Sequence, residues 1–142
     1  RFQEPSMLFD EGKSELKDSF KIILNDFFPR YIAVLKRKQY KDNIEEIRIE
    51  GHTNSNGEYF SNMKLSQDRT RAVLQYCLGL MRPKDLPWAK RLITANGLSS
   101  SHPILRKGRE DKQLSRRVEF RVRTNAEKQL EEIAAKRLKD KQ

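Results

Sequence analysis

Arg69 occupies the most unusual setting in the chain. It stands seven positions after Asn62 and three after Ser66, so a helix would stack all three on one face. That face borders Leu65, Ala72 and Val73. A guanidinium beside an apolar stripe needs a carboxylate partner, internal or external. Just ahead lie Asn54, Ser55 and Asn56, in a segment Thr-Asn-Ser-Asn-Gly that has no apolar member. Amide and hydroxyl groups gathered around one guanidinium would form a small polar pocket, shaped to clamp a carboxylate bidentately. The spacing leaves a second reading open, in which the segment is only a capping turn and Arg69 pairs with Asp68 or another acid.

Other chemistries find less support. Hydrolysis needs paired carboxylates or a nucleophile with a base, and Glu45-Glu46 and Glu131-Glu132 are adjacent pairs whose members point in different directions. Cys77 falls on the apolar side of a helical pattern, which fits a buried structural thiol. His52 precedes the polar loop and is expected to orient it by a ring hydrogen bond. The glycines form no phosphate-cradling pattern. Arg116, Arg117, Arg121 and Arg123 share a segment with Phe120, but Phe120 alternates with the charges and belongs to a buried face, so base stacking is not expected. The chain reads as a non-enzymatic binding module with no cofactor and no metal.

These residues need elements to hold them. Residues 8–9 read as an edge strand, followed by a turn at Asp10-Glu11-Gly12. From Ser14, read as the N-cap, Leu16, Phe20, Ile23, Leu24, Phe27, Phe28, Tyr31 and Leu35 recur at helical steps. Pro29 should kink this helix or divide it near Asp26. Residues 46–53 alternate as a half-buried strand, with Ile47, Ile49 and Gly51 on one side and Arg48, Glu50 and His52 on the other. A helix over about 61–81 follows, its apolar side formed by Leu65, Ala72, Val73, Tyr76, Cys77 and Leu80. Residues 91–95 read as a short strand, 99–112 as a long loop, and 117–123 as a strand with Val118, Phe120 and Val122 inward. Leu130, Ile133, Ala134 and Leu138 mark a final charged amphipathic helix whose stripe should pack on the domain's own core. The order predicts a two-layer α/β sandwich: a mixed sheet, helices on one face, a closing strand and an extra C-terminal helix.

Composition bounds the possibilities. The chain has 142 residues, 36% hydrophobic and 35% charged, long enough for one modest core. We expect a single domain over 1–142, with its core at about 7–123 and the charged helix at 124–142. A net charge of +10, more of it after residue 100 than before, favours anionic partners. Nucleic acid, an acidic membrane surface and a polyanionic wall all qualify. One cysteine and two histidines argue against a disulfide framework and a structural zinc site. A chain opening Arg-Phe-Gln reads as a segment of a longer protein, with any signal or membrane anchor upstream.

Taken together, Ile49-Glu50-Gly51-His52-Thr53-Asn54-Ser55-Asn56-Gly57 and the spaced Asn62, Leu65, Ser66 and Arg69 resemble the signature of the OmpA-like domain. That module is found in OmpA C-termini, peptidoglycan-associated lipoproteins and MotB-type stator subunits. Leu8-Phe9-Asp10, Gly12-Lys13-Ser14 and Leu16 are similar to its first strand and helix start. Arg91 through Gly97, then His102-Pro103-Ile104, resemble its third strand and following loop, and Ser115-Arg116-Arg117-Val118-Glu119-Phe120 its closing strand. The resemblance covers about residues 8–123 in the family's order.

It implies non-covalent binding of peptidoglycan through the diaminopimelate of the stem peptide, in a periplasmic part of a membrane-anchored or outer-membrane protein. By the same resemblance, position 54 meets the ligand's ammonium and Arg69 its carboxylate, helped by Asn62 and by Arg116 or Arg117. Asn56 belongs to the same loop. Pairing of two copies is open, since wall-anchored stators pair. No nucleic acid is expected, and the membrane enters only through a segment outside this sequence. Two positions depart from the family pattern. Asn54 stands where Asp is usual, and Ser115 where Asn is usual. A neutral hydrogen bond in place of a charged one weakens binding by about 1 kcal/mol, or several-fold. The alternatives are a fold kept for protein–protein contact with a weakened or lost wall site and, less favoured, a basic nucleic-acid-binding module.

Overall fold

The computed structural model describes residues 1–3 and 5–140, apart from the side chains of 127–129. In chain order the elements are α1 (Pro5–Leu8), α2 (Asp18–Leu35), α3 (Lys38–Lys41), β1 (Ile44–His52), α4 (Tyr59–Gly79), a 3-10 turn (Pro83–Asp85), α5 (Leu86–Leu92), β2 (Ile93–Gly97), β3 (Leu105–Arg106), β4 (Arg109–Glu110), α6 (Lys112–Ser115), β5 (Arg117–Thr124) and α7 (Ala126–Asp140). The main sheet has the order β2-β1-β5, with β2 parallel and β5 antiparallel to the central strand. This is the expected mixed sheet covered by helices.

Strand β1 is central because both its faces are covered. Ile47 and Ile49 are fully buried, and so, within a few per cent, are Glu50 and His52 on the other side. The apolar side meets Phe20, Leu24, Phe28 and Ile32, a four-residue row along α2. That row keeps α2 continuous through Pro29, which the sequence pattern led us to expect as a kink or a break. Pro29 sits at an exposed position, and burying four large side chains outweighs the roughly 3 kcal/mol cost of an interior proline. Phe120 of β5 closes this core, with its ring 5.3 Å from Phe27 and 5.9 Å from Phe2.

Residues 8–9 depart from the expected edge strand. Leu8 ends α1, and Phe9 makes only an isolated bridge to Leu16. Both side chains are buried, so their hydrophobicity is satisfied by packing rather than by pairing. Helix α2 begins at Asp18, with Lys17 as N-cap, not at Ser14. The loop expected over 99–112 contains the small β3-β4 hairpin. The α7 stripe also departs from expectation: Leu130, Ile133 and Leu138 are 66%, 51% and 67% exposed and take no part in the core.

Two glycines set how closely α4 approaches the sheet. Gly51 and Gly97 are register partners on β1 and β2. A Cβ at Gly97 would lie 2.4 Å from the Gln67 backbone nitrogen and 2.7 Å from its Cα. The buried row of α4 is correspondingly small: Ser66, Thr70, Val73 and Cys77. Because the obstructing atoms are backbone, Gly97→Ala is expected to lower stability by about 1–3 kcal/mol. A urea midpoint that does not move would show that α4 can shift away from the sheet at no cost.

Candidate functional site

The C-terminal end of β1 runs into the polar loop 54–57, and close packing on Gly51 and Gly97 brings the first turns of α4 beside it. A cleft of about 570 Å³ opens here. All six residues singled out from the sequence line it: Asn54, Asn56, Asn62, Arg69, Arg116 and Arg117. The 8–12 turn, Ser66 and Gln113 complete its walls.

Arg69 reaches across to the chain's N-terminal region. Its Nε donates to the Lys13 carbonyl at 2.8 Å and Nη2 to the Asp10 carbonyl at 3.3 Å, while the guanidinium lies 4.7 Å from the centre of the Phe9 ring. Among the described residues, two of its five N–H donors are used in this way. Among the described residues no carboxylate pairs with it. Asp68, the internal partner considered from sequence, pairs instead with Lys64 at 2.7 Å. Burial, and then the nearby charge of Arg116, pull the Arg69 pKa below its ordinary value. The group stays charged, since an arginine cannot be deprotonated near neutral pH. The result is a fixed, half-buried cation with an open hydrogen-bonding edge.

The facing loop is organised by its own amides. Asn54 is 7% exposed; its Oδ1 accepts from the Asn56 backbone N–H at 3.0 Å, and its Nδ2 donates to the Lys112 carbonyl at 3.2 Å. Asn62 donates to the Asn56 carbonyl at 2.9 Å, tying the loop to α4. Lys112 reaches Asn56 Oδ1 at 2.7 Å. Glu110 accepts from both the Ser55 backbone N–H, at 2.9 Å, and the Ser55 hydroxyl, and that hydroxyl bond holds its carboxyl below the usual range. Sequence reasoning missed Glu110 and Lys112, because their partners lie more than fifty residues away and no local period marks them.

Of the two adjacent arginines, Arg116 is exposed and has no ion pair among the described residues. Arg117 is buried; Nε donates to Glu119 at 2.7 Å and Nη1 to the Ser115 carbonyl at 2.9 Å. Ser115 is itself fully buried, accepting from the Ile104 N–H at 2.9 Å and donating to the Asp111 carbonyl at 2.7 Å. It therefore holds the strand entry without reaching the cleft.

His52 does not make the expected ring hydrogen bond to the loop. Its Nε2 lies 3.4 Å from Glu50 Oε1, neither ring nitrogen has a hydrogen-bond partner among the described residues, and the ring meets His102 edge-on at 5.9 Å. The loop is oriented instead through backbone: the Thr53 N–H donates to the Ser99 carbonyl, and the Ser99 N–H to Ser66 Oγ. Glu50, His52 and Glu119 bring ligand-type atoms within 4.8 Å of one another. Arg48 holds Glu50 at 3.0 Å, and Arg117 and Arg1 hold Glu119 at 2.7 and 2.8 Å. Surrounding guanidiniums oppose a further cation, so this donor set fits an ion-pair network better than a metal centre.

Comparison with known proteins gives this arrangement a context. The sequence pattern of the OmpA family matches residues 8–117. Zorya protein ZorB of Escherichia coli (Crooks strain) is 50% identical over 143 positions, covering 94% of this chain and 60% of that protein. The chain thus spans about 60% of the length of this curated relative. A MotB-like protein of Desulfovibrio vulgaris superposes with a TM-score of 0.58 at 26% identity, over 84% of this chain and 71% of that one. The C-terminal domain of Helicobacter pylori MotB superposes at 0.59 over 91% of each chain, and at 16% identity it speaks to fold alone.

Proposed function

The chain belongs to the OmpA family, and on that premise we propose that its cleft binds peptidoglycan non-covalently through the diaminopimelate of the stem peptide. The observation that carries this reading is Arg69: a half-buried guanidinium without a carboxylate partner among the described residues, held by backbone carbonyls and an aromatic face, with Arg116 beside it. An incoming carboxylate supplies the missing partner. The ligand's ammonium is received by the second acceptor position of Asn54 Oδ1 and by the carboxylates of Asp10 and Glu11, which also line the cleft. Binding of this kind anchors a larger envelope protein of stator type to the wall, on the periplasmic side. Among the described residues no helix is long and apolar enough to cross a membrane.

Titration with a diaminopimelate-containing stem peptide, followed by backbone amide NMR shifts, tests the reading. Shifts should cluster on Asn54, Asn62 and Arg69. No shifts at millimolar peptide would reject it and leave the fold serving protein–protein contact.

Asn54→Asp adds the charge that the loop lacks, and should tighten binding of a zwitterionic peptide by about 1 kcal/mol, several-fold, at low salt. The same change replaces a donor to the Lys112 carbonyl with an oxygen facing it at about the present 3.2 Å, so stability should fall. Calorimetry and urea unfolding read the two effects separately. Unchanged or weaker affinity would show that Asn54 does not face the ammonium.

A further inference from the structure

We propose that the β3-β4 hairpin is a second wall contact, binding carboxylates of the same polymer whose stem peptide occupies the cleft; the inference rests on the wall-binding reading above. The hairpin is tight and well defined. Lys107 and Gly108 form its two-residue turn, with φ of 53° and 76°, the left-handed conformation that matches strand twist in a two-residue hairpin. Its base is fastened to the cleft's rim by Glu110 on Ser55 and by Lys112 on Asn56. The tip therefore has a set position relative to the cleft.

Its charge pattern points outward. Arg106 and Arg109 are directly opposite each other in register, an arrangement of like charges that destabilises a strand pair. Lys107 sits between them at the turn. All three are exposed, and the only ion pair they make among the described residues is a long one, Arg106 to Asp111 at 3.8 Å. That single long contact offsets little of the repulsion, and an external polyanion would offset more. Of the polyanions, a carboxylate-bearing polymer fits better than nucleic acid. The tip is a narrow point and not a groove that tracks a backbone, and the exposed residue beside it is Leu105, with no ring on which bases could stack. Stem-peptide carboxylates recur along the wall polymer, so one strand can reach cleft and tip together. A contact that is weak alone then adds to binding through effective concentration.

The test compares the chain with its Arg106→Gln/Arg109→Gln variant in three assays: a soluble diaminopimelate stem peptide, purified sacculi, and a DNA duplex. We expect the variant to bind the peptide unchanged and sacculi three- to tenfold more weakly, with the difference vanishing at about 0.5 M salt, where screening is short-ranged. Its thermal midpoint should not fall, since the substitutions remove repulsion. Equal sacculus binding by both proteins, with peptide binding intact, overturns the hairpin inference and spares the cleft. Equal loss of peptide and sacculus binding also overturns it, because the hairpin would then act only through the rim. Tight duplex binding that the variant abolishes, without any sacculus effect, reassigns the tip to nucleic acid. If the unaltered chain binds neither peptide nor sacculi, the cleft reading fails and this one with it.

Discussion

Arg69→Ala should reduce stem-peptide affinity by about 2–4 kcal/mol, roughly 30- to 1,000-fold, the range seen when one partner of a desolvated, hydrogen-bonded charge pair is truncated. The size follows from the setting. The guanidinium is half-buried, oriented by the Lys13 and Asp10 carbonyls and by Phe9, and carries an edge free for two parallel bonds. A ligand carboxylate meeting it loses little orientational freedom in the protein. The substitution also removes two hydrogen bonds to the 10–13 turn, so some of the loss could come from a displaced wall of the cleft. Arg116→Ala separates the two causes, because Arg116 makes no ion pair to lose among the described residues. It should cost about 1 kcal/mol of affinity by lowering the local positive field, with the turn intact. Isothermal titration on both variants, alongside amide spectra to confirm the fold, gives the comparison. Full affinity in a folded Arg69→Ala protein would remove the basis of the proposed function.

The second large effect concerns pH. Burial, and next the charge of Arg117, depress the His52 pKa from 6.5 to about 4, against the opposing pull of Glu119 and Glu50. The groups facing the ring are Glu50, Glu119, Arg117 and His102. In the unfolded chain the imidazole takes up a proton as pH falls through 6.5; in the folded protein it does so only near 4. Between those values the unfolded state binds more protons, so stability falls as pH falls. Above 6.5 the group contributes no slope, and below about 4 the loss is complete. A shift of this size corresponds to a loss on the order of 3 kcal/mol. Glu119 adds a separate loss lower down: burial would raise its pKa, but the hydrogen bond and charge of Arg117 outweigh this and hold it below the usual value. Urea unfolding at a series of pH values should show the first loss between 6.5 and 4, and His52→Gln, neutral throughout, should flatten that interval. An identical slope in the variant would assign the acid sensitivity to other groups.

Much of this protein was legible in its residues because local periods carry it. The alternation of Ile47 and Ile49 with Arg48 and Glu50, and of Val118 and Phe120 with Glu119 and Arg121, announces β1 and β5, since a strand places successive side chains on opposite faces. The helical spacing of Asn62, Ser66 and Arg69 puts them on one face wherever the helix lies. Spacing and position nominate Asn54, Asn56, Asn62 and Arg69, the family resemblance adds Arg116 and Arg117, and all six line one cleft.

Local periods mislead where burial has another source. Residues 8–9 are hydrophobic because they pack under α2 and not because they pair, and Pro29 is tolerated because the row Phe20, Leu24, Phe28 and Ile32 faces inward while the proline faces out. The α7 stripe has the pattern of a core-facing helix and yet lies exposed. Periodicity records that a face is apolar and says nothing of what covers it.

What Arg69 touches is set by packing between distant elements. Asp68 is adjacent in sequence, but the helix turns it toward Lys64, while the carbonyls of Asp10 and Lys13 arrive from more than fifty residues away. The same holds for Glu110 and Lys112 against the 54–57 loop, and for the burial of Glu50 and His52 on a strand face that alternation alone marks as solvated. The sequence determined which groups can share a face. Sheet register, and the close helix approach that Gly51 and Gly97 permit, decided which of those faces meet, because such contacts depend on how separate elements pack and no repeat within one element encodes them.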